Sequence, residues 1–245
     1  MNLLIDSGNT FIKWAQQNDQ VLTLVNRCRS NSLARLHDIW KCFDAPDRVV
    51  IANVAGESVA SGISSIVREL WKLDAEFAVS SLNCCGLTNS YYNPRQLGVD
   101  RWMAMAAAFQ SISGPVIIVD CGTAVTIDLV NNEGVFVGGV IMPGLNTAYQ
   151  SLRAGTEAVK EINSIEKDIS PVGQSTEDGV AIGVLLGLVG GVERVIREQS
   201  RQLDKTPAVF ITGGDAEILL PYLTIPAIIQ ADLVLEGLRI FSDEK

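Results

Sequence analysis

The sequence predicts an α/β protein of two domains related by duplication, each a mixed five-stranded sheet flanked by helices. Three observations carry that expectation. First, Val116-Ile117-Ile118-Val119 is an apolar, mostly β-branched run that reads as a buried strand and ends on Asp120-Cys121-Gly122-Thr123, an acid followed by a glycine turn. Second, Leu3-Leu4-Ile5 runs into Asp6-Ser7-Gly8-Asn9-Thr10 in the same manner, nearly half the chain earlier. Third, strands, helix and strand follow each acid in matching order, so one supersecondary unit recurs. Gly114-Pro115 closes the first copy, giving expected domains 1–115 and 116–245.

Taken in order, Met1 to Ile5, Phe11 to Ala15 and Val21 to Val25 read as three short strands, with the polar turn Gln16 to Gln20 between the last two. Leu33, Leu36, Trp40 and Phe43 fall at helical spacing, and Val49 to Ala52 form another strand. Val59, Ile63, Ile66, Val67 and Leu70 mark an amphipathic helix, and a short strand follows at Phe77 to Val79. A polar loop from Ser80 to Leu97 leads into a helix from about Asp100 to Phe109.

The second copy has strands at Val116 to Asp120, Thr123 to Val130 and Val135 to Ile141, with Asn131 to Gly134 as the hairpin turn. A helix then runs to about Leu152, and the polar stretch from Ala154 to Ser170 reads as a loop with some local helix. Ser175 and Asp178 have capping-box spacing and open a long helix ending near Gln199. Its Gly183, Gly187, Gly190 and Gly191 suggest close approach of another backbone. Ala208 to Thr212 form a strand ending at Gly213-Gly214-Asp215, and Leu233 to Phe241 a final amphipathic helix.

Composition bounds the function. A chain of 245 residues with 47% hydrophobic and 19% charged residues can bury a substantial core. Its formal net charge of −9 argues against a nucleic-acid partner, which would call for a basic face. No signal peptide is visible, and the apolar run Val180 to Val192 is too short to span a bilayer, so the expectation is a cytoplasmic protein with no membrane partner. Five cysteines, two of them adjacent at Cys84-Cys85, indicate neither a disulfide framework nor a zinc site. The one histidine, His37, suits a surface or packing role, which withdraws support from His-based catalysis.

The chemistry suited to paired acid-glycine hairpins is phosphate and metal binding. Glycine lets backbone N–H groups approach an anion, nearby hydroxyls donate, and carboxylates offer hard oxygen ligands to the cation that accompanies phosphate. Other residues admit two readings. Lys13 is either a point charge for a phosphate or a solvated lysine on an edge strand. Asp100 is either a base or a helix N-cap, and Arg101 either a carboxylate fork or a surface ion pair. Tyr91 closes a pocket or packs on its loop, with Tyr92 as rival; Thr176 contacts substrate or caps a helix; Gly213-Gly214-Asp215 faces an adenosine or simply turns the chain.

The two βββαβα-like units resemble the ribonuclease-H-like, actin-like ATPase fold that actin, Hsp70, sugar kinases and acetate kinase share. Within it, Asp6 to Lys13, Gly98-Val99-Asp100-Arg101, Asp120 to Thr126 and Gly138-Gly139-Val140-Ile141-Met142-Pro143-Gly144 together resemble type III pantothenate kinase, in the family's order and over almost the whole chain. That resemblance implies ATP-dependent phosphorylation of pantothenate to 4′-phosphopantothenate, the entry step of coenzyme A synthesis. It implies that Asp6, Ser7, Gly8, Asn9, Thr10, Phe11, Ile12 and Lys13 bind the ATP phosphates, that Thr123 touches ATP, and that Asp120 holds a monovalent cation, K+ or NH4+. It further implies that Tyr91, Gly98, Val99, Asp100, Arg101 and Thr176 contact pantothenate, with Asp100 the proton acceptor. Mg2+ would bridge the β- and γ-phosphates, and a homodimer is implied as well. A sugar or carboxylate kinase on the same fold, or a non-catalytic regulatory relative, are the alternatives.

Overall fold

The computed structural model describes residues 1–154 and 170–244, so most of the loop expected from Ala154 to Ser170 lies outside the described residues. The chain gathers into two compact units, 1–112 with 232–245, and 113–231.

The first unit begins with β1 (Asn2–Ser7), β2 (Phe11–Asn18) and β3 (Val21–Arg29), then α1 (Leu33–Trp40), β4 (Arg48–Asn53), α2 (Glu57–Trp71) and β5 (Glu76–Phe77). The sheet order is β3-β2-β1-β4-β5, with β1 antiparallel to β2 and parallel to β4. Leu3, Leu4 and Ile5 of β1 and Val49, Val50 and Ile51 of β4 are all buried, as expected of central parallel strands covered on both faces. Trp14 of β2 meets Trp40 edge-on with centroids 5.9 Å apart, and Trp71 lies 5.9 Å from Trp40 on its other side, which seats α1 and α2 on the sheet. His37 meets Glu69 at 3.3 Å on the surface, in keeping with its expected surface role.

Where the sequence suggested one polar loop, the unit has a small hairpin, β6 (Asn83–Cys84) and β7 (Leu87–Asn89), then a 3₁₀ turn at Pro94–Gln96 and α3 (Val99–Ser111). Short strands of polar residues carry no alternating pattern long enough to be read.

The second unit repeats the plan with β8 (Val116–Cys121), β9 (Ala124–Val130), β10 (Val135–Pro143), α4 (Leu145–Ala154), α5 (Thr176–Ser200), β11 (Ala208–Thr212), a short α6 (Ala216–Leu219) and β12 (Ile228–Ile229). Within a sheet of seven strands, the five of this unit run β10-β9-β8-β11-β12, the same order as in the first unit, so the expected count of five holds for the unit and not for the whole sheet. The central β8 is antiparallel to β9 and parallel to β11, which repeats the pairing of β1 with β2 and β4. Duplication is therefore visible strand by strand.

The helix α5 is capped as its sequence indicates: Ser175 Oγ accepts from the Asp178 N–H at 3.1 Å. At 25 residues it is longer and more apolar than the run Val180 to Val192 suggested, and by length and composition alone it could cross a membrane. Leu185, Leu188, Val189, Val192 and Ile196 instead bury against Ile117, Val119, Ile127 and Ile211 of the sheet. The expected close backbone approach at its glycines does not occur among the described residues: the Cβ positions of Gly183, Gly187 and Gly190 face open space, and that of Gly191 meets only the Met142 side chain at 3.6 Å.

The last helix, α7 (Leu233–Asp243), departs from the expected boundary, since it packs with α3, β1 and β4 of the first unit rather than with residues 116–231. The reason is backbone contact. A Cβ at Gly237 would collide with the main chain of Met103, so α7 and α3 approach as only a glycine permits. Gly237→Ala is expected to cost about 1–3 kcal/mol by overpacking and to lower Tm by about 2–12 °C. Calorimetry checks this, and a Tm within about 1 °C of the parent would show that the two helices separate freely.

Candidate functional site

Each unit presents one acid-glycine hairpin. In the first, register pairs Asp6 with Lys13 and Ser7 with Ile12 across β1 and β2. The Gly8 N–H donates to the Phe11 carbonyl at 3.0 Å, which leaves Asn9 and Thr10 exposed at the tip. Ser30 holds that tip from β3's end, its Oγ donating to the Gly8 carbonyl at 2.6 Å and its N–H to the Thr10 carbonyl at 3.1 Å. Nothing in the sequence singled out Ser30, because it lies beyond a different strand. Phe11 turns outward under the guanidinium groups of Arg27 and Arg29, 5.0 and 5.8 Å from its ring centre. Ile12 is buried in the core and anchors the strand rather than offering a polar contact.

Lys13 Nζ lies 3.9 Å from Asp232 Oδ1, at the start of α7. Its cationic end therefore lies beside an acid more than 200 residues later in the chain, and β2 sits between β3 and β1, so Lys13 is neither freely solvated nor on an edge strand. Asp232 escapes sequence reading because only the packing of α7 brings it here. Ser7 Oγ is fully buried and finds no hydrogen-bond partner among the described residues. A buried hydroxyl beside a glycine turn is the kind of group that a bound phosphate or its cation satisfies.

Also in the first unit, Gly98, Val99, Asp100 and Arg101 form the first turn of α3. Gly98 is the N-cap and Asp100 stands two residues inside the helix, so Asp100 is not the cap. Its Oδ1 accepts from the Arg101 N–H at 2.8 Å. Gly98 has φ −56° and ψ 131°, which any residue adopts, yet a Cβ there would stand 2.6 Å from Asp100 Oδ1. The glycine is required by the carboxylate and not by the backbone.

Burial pushes the Asp100 carboxyl above the usual carboxylate range, against the opposing pull of the Arg101 backbone N–H and charge. Arg101 is itself buried, which rules out the plain surface ion pair, and Val99 is buried beside it. Tyr91 is half-buried with its N–H donated to Asn89 Oδ1 at 3.0 Å, whereas Tyr92 stands fully in solvent.

In the second unit, Asp120 pairs with Thr126 on one side and Thr212 on the other. Gly213, at φ +94°, has its missing Cβ 2.5 Å from Asp120 Oδ1 and against the Cys121 carbonyl. Only glycine fits there on both counts. Asp215, beyond it, donates its N–H to the Cys121 carbonyl at 2.9 Å, and burial raises its carboxyl. Burial pushes the Cys121 thiol up, and the nearby charges of Asp120 and Asp215 push it in the same direction. Gly213-Gly214-Asp215 thus completes the Asp120 turn, a convergence not visible in either segment alone.

Thr123 is exposed at the hairpin tip, and its carbonyl accepts from the Gly144 N–H at 3.1 Å and Thr147 Oγ1 at 2.6 Å. Gly144 has no room for a Cβ against the Gly122 carbonyl, which accounts for the Pro143-Gly144 ending of the fourth motif. Thr176 is the exposed first residue of α5 and is not its cap, a role that Ser175 fills.

Comparison with known proteins shows what the chain as a whole is similar to. Residues 2–198 match the family model described as type III pantothenate kinase. The type III pantothenate kinase of Nitrosomonas eutropha is 36% identical over 246 aligned residues, covering 98% of this chain and 93% of the relative. That of Alcanivorax borkumensis is 35% identical, covering 98% and 97%. Among solved structures, a Campylobacter jejuni protein described as a Baf family transcriptional activator superposes with TM-score 0.64 at 21% identity, over 99% of this chain and 98% of that one. The glucokinase of an Antarctic psychrotroph superposes at 0.52 with 10% identity, over 99% and 98%, and this likeness speaks to fold alone.

Raised by burial, Asp100 binds its proton more tightly in the folded chain than in the unfolded one. Such a group costs stability once pH rises through the unfolded carboxylate value of about 3.9, and costs nothing below it. Asp100→Asn is accordingly expected to melt above the parent at pH 7, with the gap closing as pH falls toward about 4. Calorimetry across that range checks it; a variant less stable at pH 7 would show that ionised Asp100 is favourably placed.

Proposed function

From the premise that this chain belongs to the type III pantothenate kinase family, we propose that Asp100 is the base of its reaction and that the hairpins at Asp6 and Asp120 hold the nucleotide's phosphates and cations. The enzyme phosphorylates pantothenate with ATP to give 4′-phosphopantothenate, in coenzyme A synthesis.

The observation that carries the assignment of the base is the Asp100 turn. A carboxylate raised by burial, kept in place by its own helix's N–H and given room by Gly98, accepts a proton better than a solvated one. The hydroxyl oxygen of pantothenate attacks the γ-phosphorus, its proton passes to an Asp100 carboxylate oxygen, and the bond to the β-phosphate oxygen breaks to release ADP. Because such transition states are loose, most of the acceleration comes from positioning and charge neutralisation, with the base contributing in proportion. Arg101, buried one residue further, suits the substrate carboxylate as a bidentate fork, with Tyr91, Gly98 and Val99 of the same unit beside the substrate in this reading; the family resemblance assigns Thr176 a substrate contact as well.

Asp6, Ser7, Gly8, Asn9 and Thr10 offer the phosphates a close-approaching turn with amide and hydroxyl donors, Phe11 and Ile12 fix its strand, and Lys13 adds a point charge. A divalent metal, Mg2+ in this reading, would be held at the Asp6 turn and would supply charge neutralisation for the phosphates when bound. The donor set fits, since Asp6 and the orphaned Ser7 hydroxyl are hard oxygens at the turn. Asp120, with Asp215 beside it through Cys121, fits a monovalent cation, K+ or NH4+, and Thr123 at the tip touches ATP. A homodimer accords with the open glycine face of α5, and an ATP co-substrate accords with work in the cytoplasm.

Asp100→Asn is expected to leave ATP binding nearly intact and to lower kcat by about 10²–10⁴. A coupled ADP-release assay with pantothenate, run with and without potassium, measures both this and the cation dependence. Near-parental turnover in the variant would remove Asp100 from the role, and ADP release with a sugar but not pantothenate would defeat the substrate assignment. Lys13→Ala is expected to raise the KM for ATP by about tenfold or more, the loss of one charge-assisted contact of about 1.5–3 kcal/mol; an unchanged KM would leave Lys13 to its ion pair with Asp232.

A further inference from the structure

The geometry points to a second, separate site in the first unit: Cys84, Cys85 and Glu244 form a chelate for one soft, thiophilic divalent cation such as zinc or cadmium. The two sulfurs lie 3.2 Å apart, Cys84 Sγ is 3.7 Å from Glu244 Oε2, and all three ligand atoms fall within 4.8 Å of one another. A tetrahedral ion with metal–sulfur bonds of about 2.3 Å needs sulfur–sulfur edges of about 3.8 Å, so small side-chain rotations complete the set. Two thiolates and a carboxylate leave a fourth position for water, on the half-exposed side of Cys84.

The site is built rather than accidental. Cys85 and Gly86, at φ +54° and +74°, are the two turn residues of the β6–β7 hairpin, a turn that favours Asn or Gly at its first position. A cysteine there bears backbone strain, and its thiol is aimed at its neighbour's instead of into solvent. Glu244 is fixed by the Cys85 N–H, which donates to its Oε2 at 3.0 Å, and Gln110 of α3 donates to the Cys85 carbonyl at 3.1 Å. The turn is thus tied to α3 and to the end of α7 before any ion arrives. Adjacent cysteines have no metal-finger spacing, so the sequence pointed away from zinc; the third ligand comes from the other end of the chain and appears only on folding.

Binding exchanges two S–H bonds for two metal–sulfur bonds and releases two protons to solvent, without change of oxidation state. Occupancy would clamp β6–β7 to the terminal helix. That hairpin runs directly into Asn89, whose side chain accepts the Tyr91 N–H and donates to the Pro94 carbonyl at 3.2 Å, so the ion would stiffen the segment bearing Tyr91.

The test is titration of the full, reduced, metal-free chain with cadmium, following thiolate-to-cadmium absorption and Tm, neither of which depends on turnover. One equivalent is expected to bind, with a rise in Tm. Cys84→Ser and Glu244→Gln should weaken binding at least tenfold. Cys85→Gly should do the same while melting no lower than the parent without metal, since glycine suits the left-handed turn. Cys42→Ser, which removes the exposed thiol elsewhere, should change nothing. Absence of the absorption band at micromolar cadmium, or a band that survives Cys84→Ser and Cys85→Gly, would overturn the site.

Discussion

Two carboxylates, Asp100 and Asp120, each occupy space that a neighbouring glycine gives up. A Cβ on Gly98 would stand 2.6 Å from Asp100 Oδ1, and one on Gly213 would stand 2.5 Å from Asp120 Oδ1. Charge is costly to bury, and a side chain of ordinary size at either glycine would force the acid to move. At Gly213 the left-handed backbone and the Cys121 carbonyl impose a second demand, so the turn itself fails without glycine. At Gly98 the backbone is ordinary, and the only thing displaced is the acid.

The duplicated sheet is what brings such acids to strand and helix ends. In both units the central strand pairs antiparallel with its successor and parallel with a later strand, and in both the acid lies near the C-terminal end of that central strand. Open α/β sheets bind ligands outside the carboxyl ends of their strands, where backbone dipoles and loop glycines converge. The copies have since diverged in chemistry: the first opposes its acid with Lys13, the second with Thr126 and a further acid, Asp215. A cationic turn suits phosphate oxygens, and an acidic one suits a cation.

Much of this was legible in the residues. Apolar runs ending on an acid and glycine located β1 and β8, Ser175 and Asp178 located the start of α5, and the four linked motifs named the family that whole-chain similarity supports. What escaped depends on contacts far apart in the chain. Asp232 reaches Lys13, and Glu244 reaches Cys84 and Cys85, only because α7 returns to the first unit, and nothing in its amphipathic pattern says which sheet it covers. The glycines of α5 suggest a neighbouring backbone, yet the described chain leaves Gly183, Gly187 and Gly190 uncovered. Glycine tells where a Cβ is missing, and the reason has to come from the fold.

In the proposed reaction the carboxylate beside Gly98 does the chemistry. Steady-state kinetics of Gly98→Ala with ATP and pantothenate, alongside its Tm, tests this most directly. Since the backbone there tolerates alanine, Tm should stay near the parent's, while displacement of Asp100 by the new methyl should lower kcat about 10²-fold. A variant that folds normally and turns over at the parent's rate would contradict it.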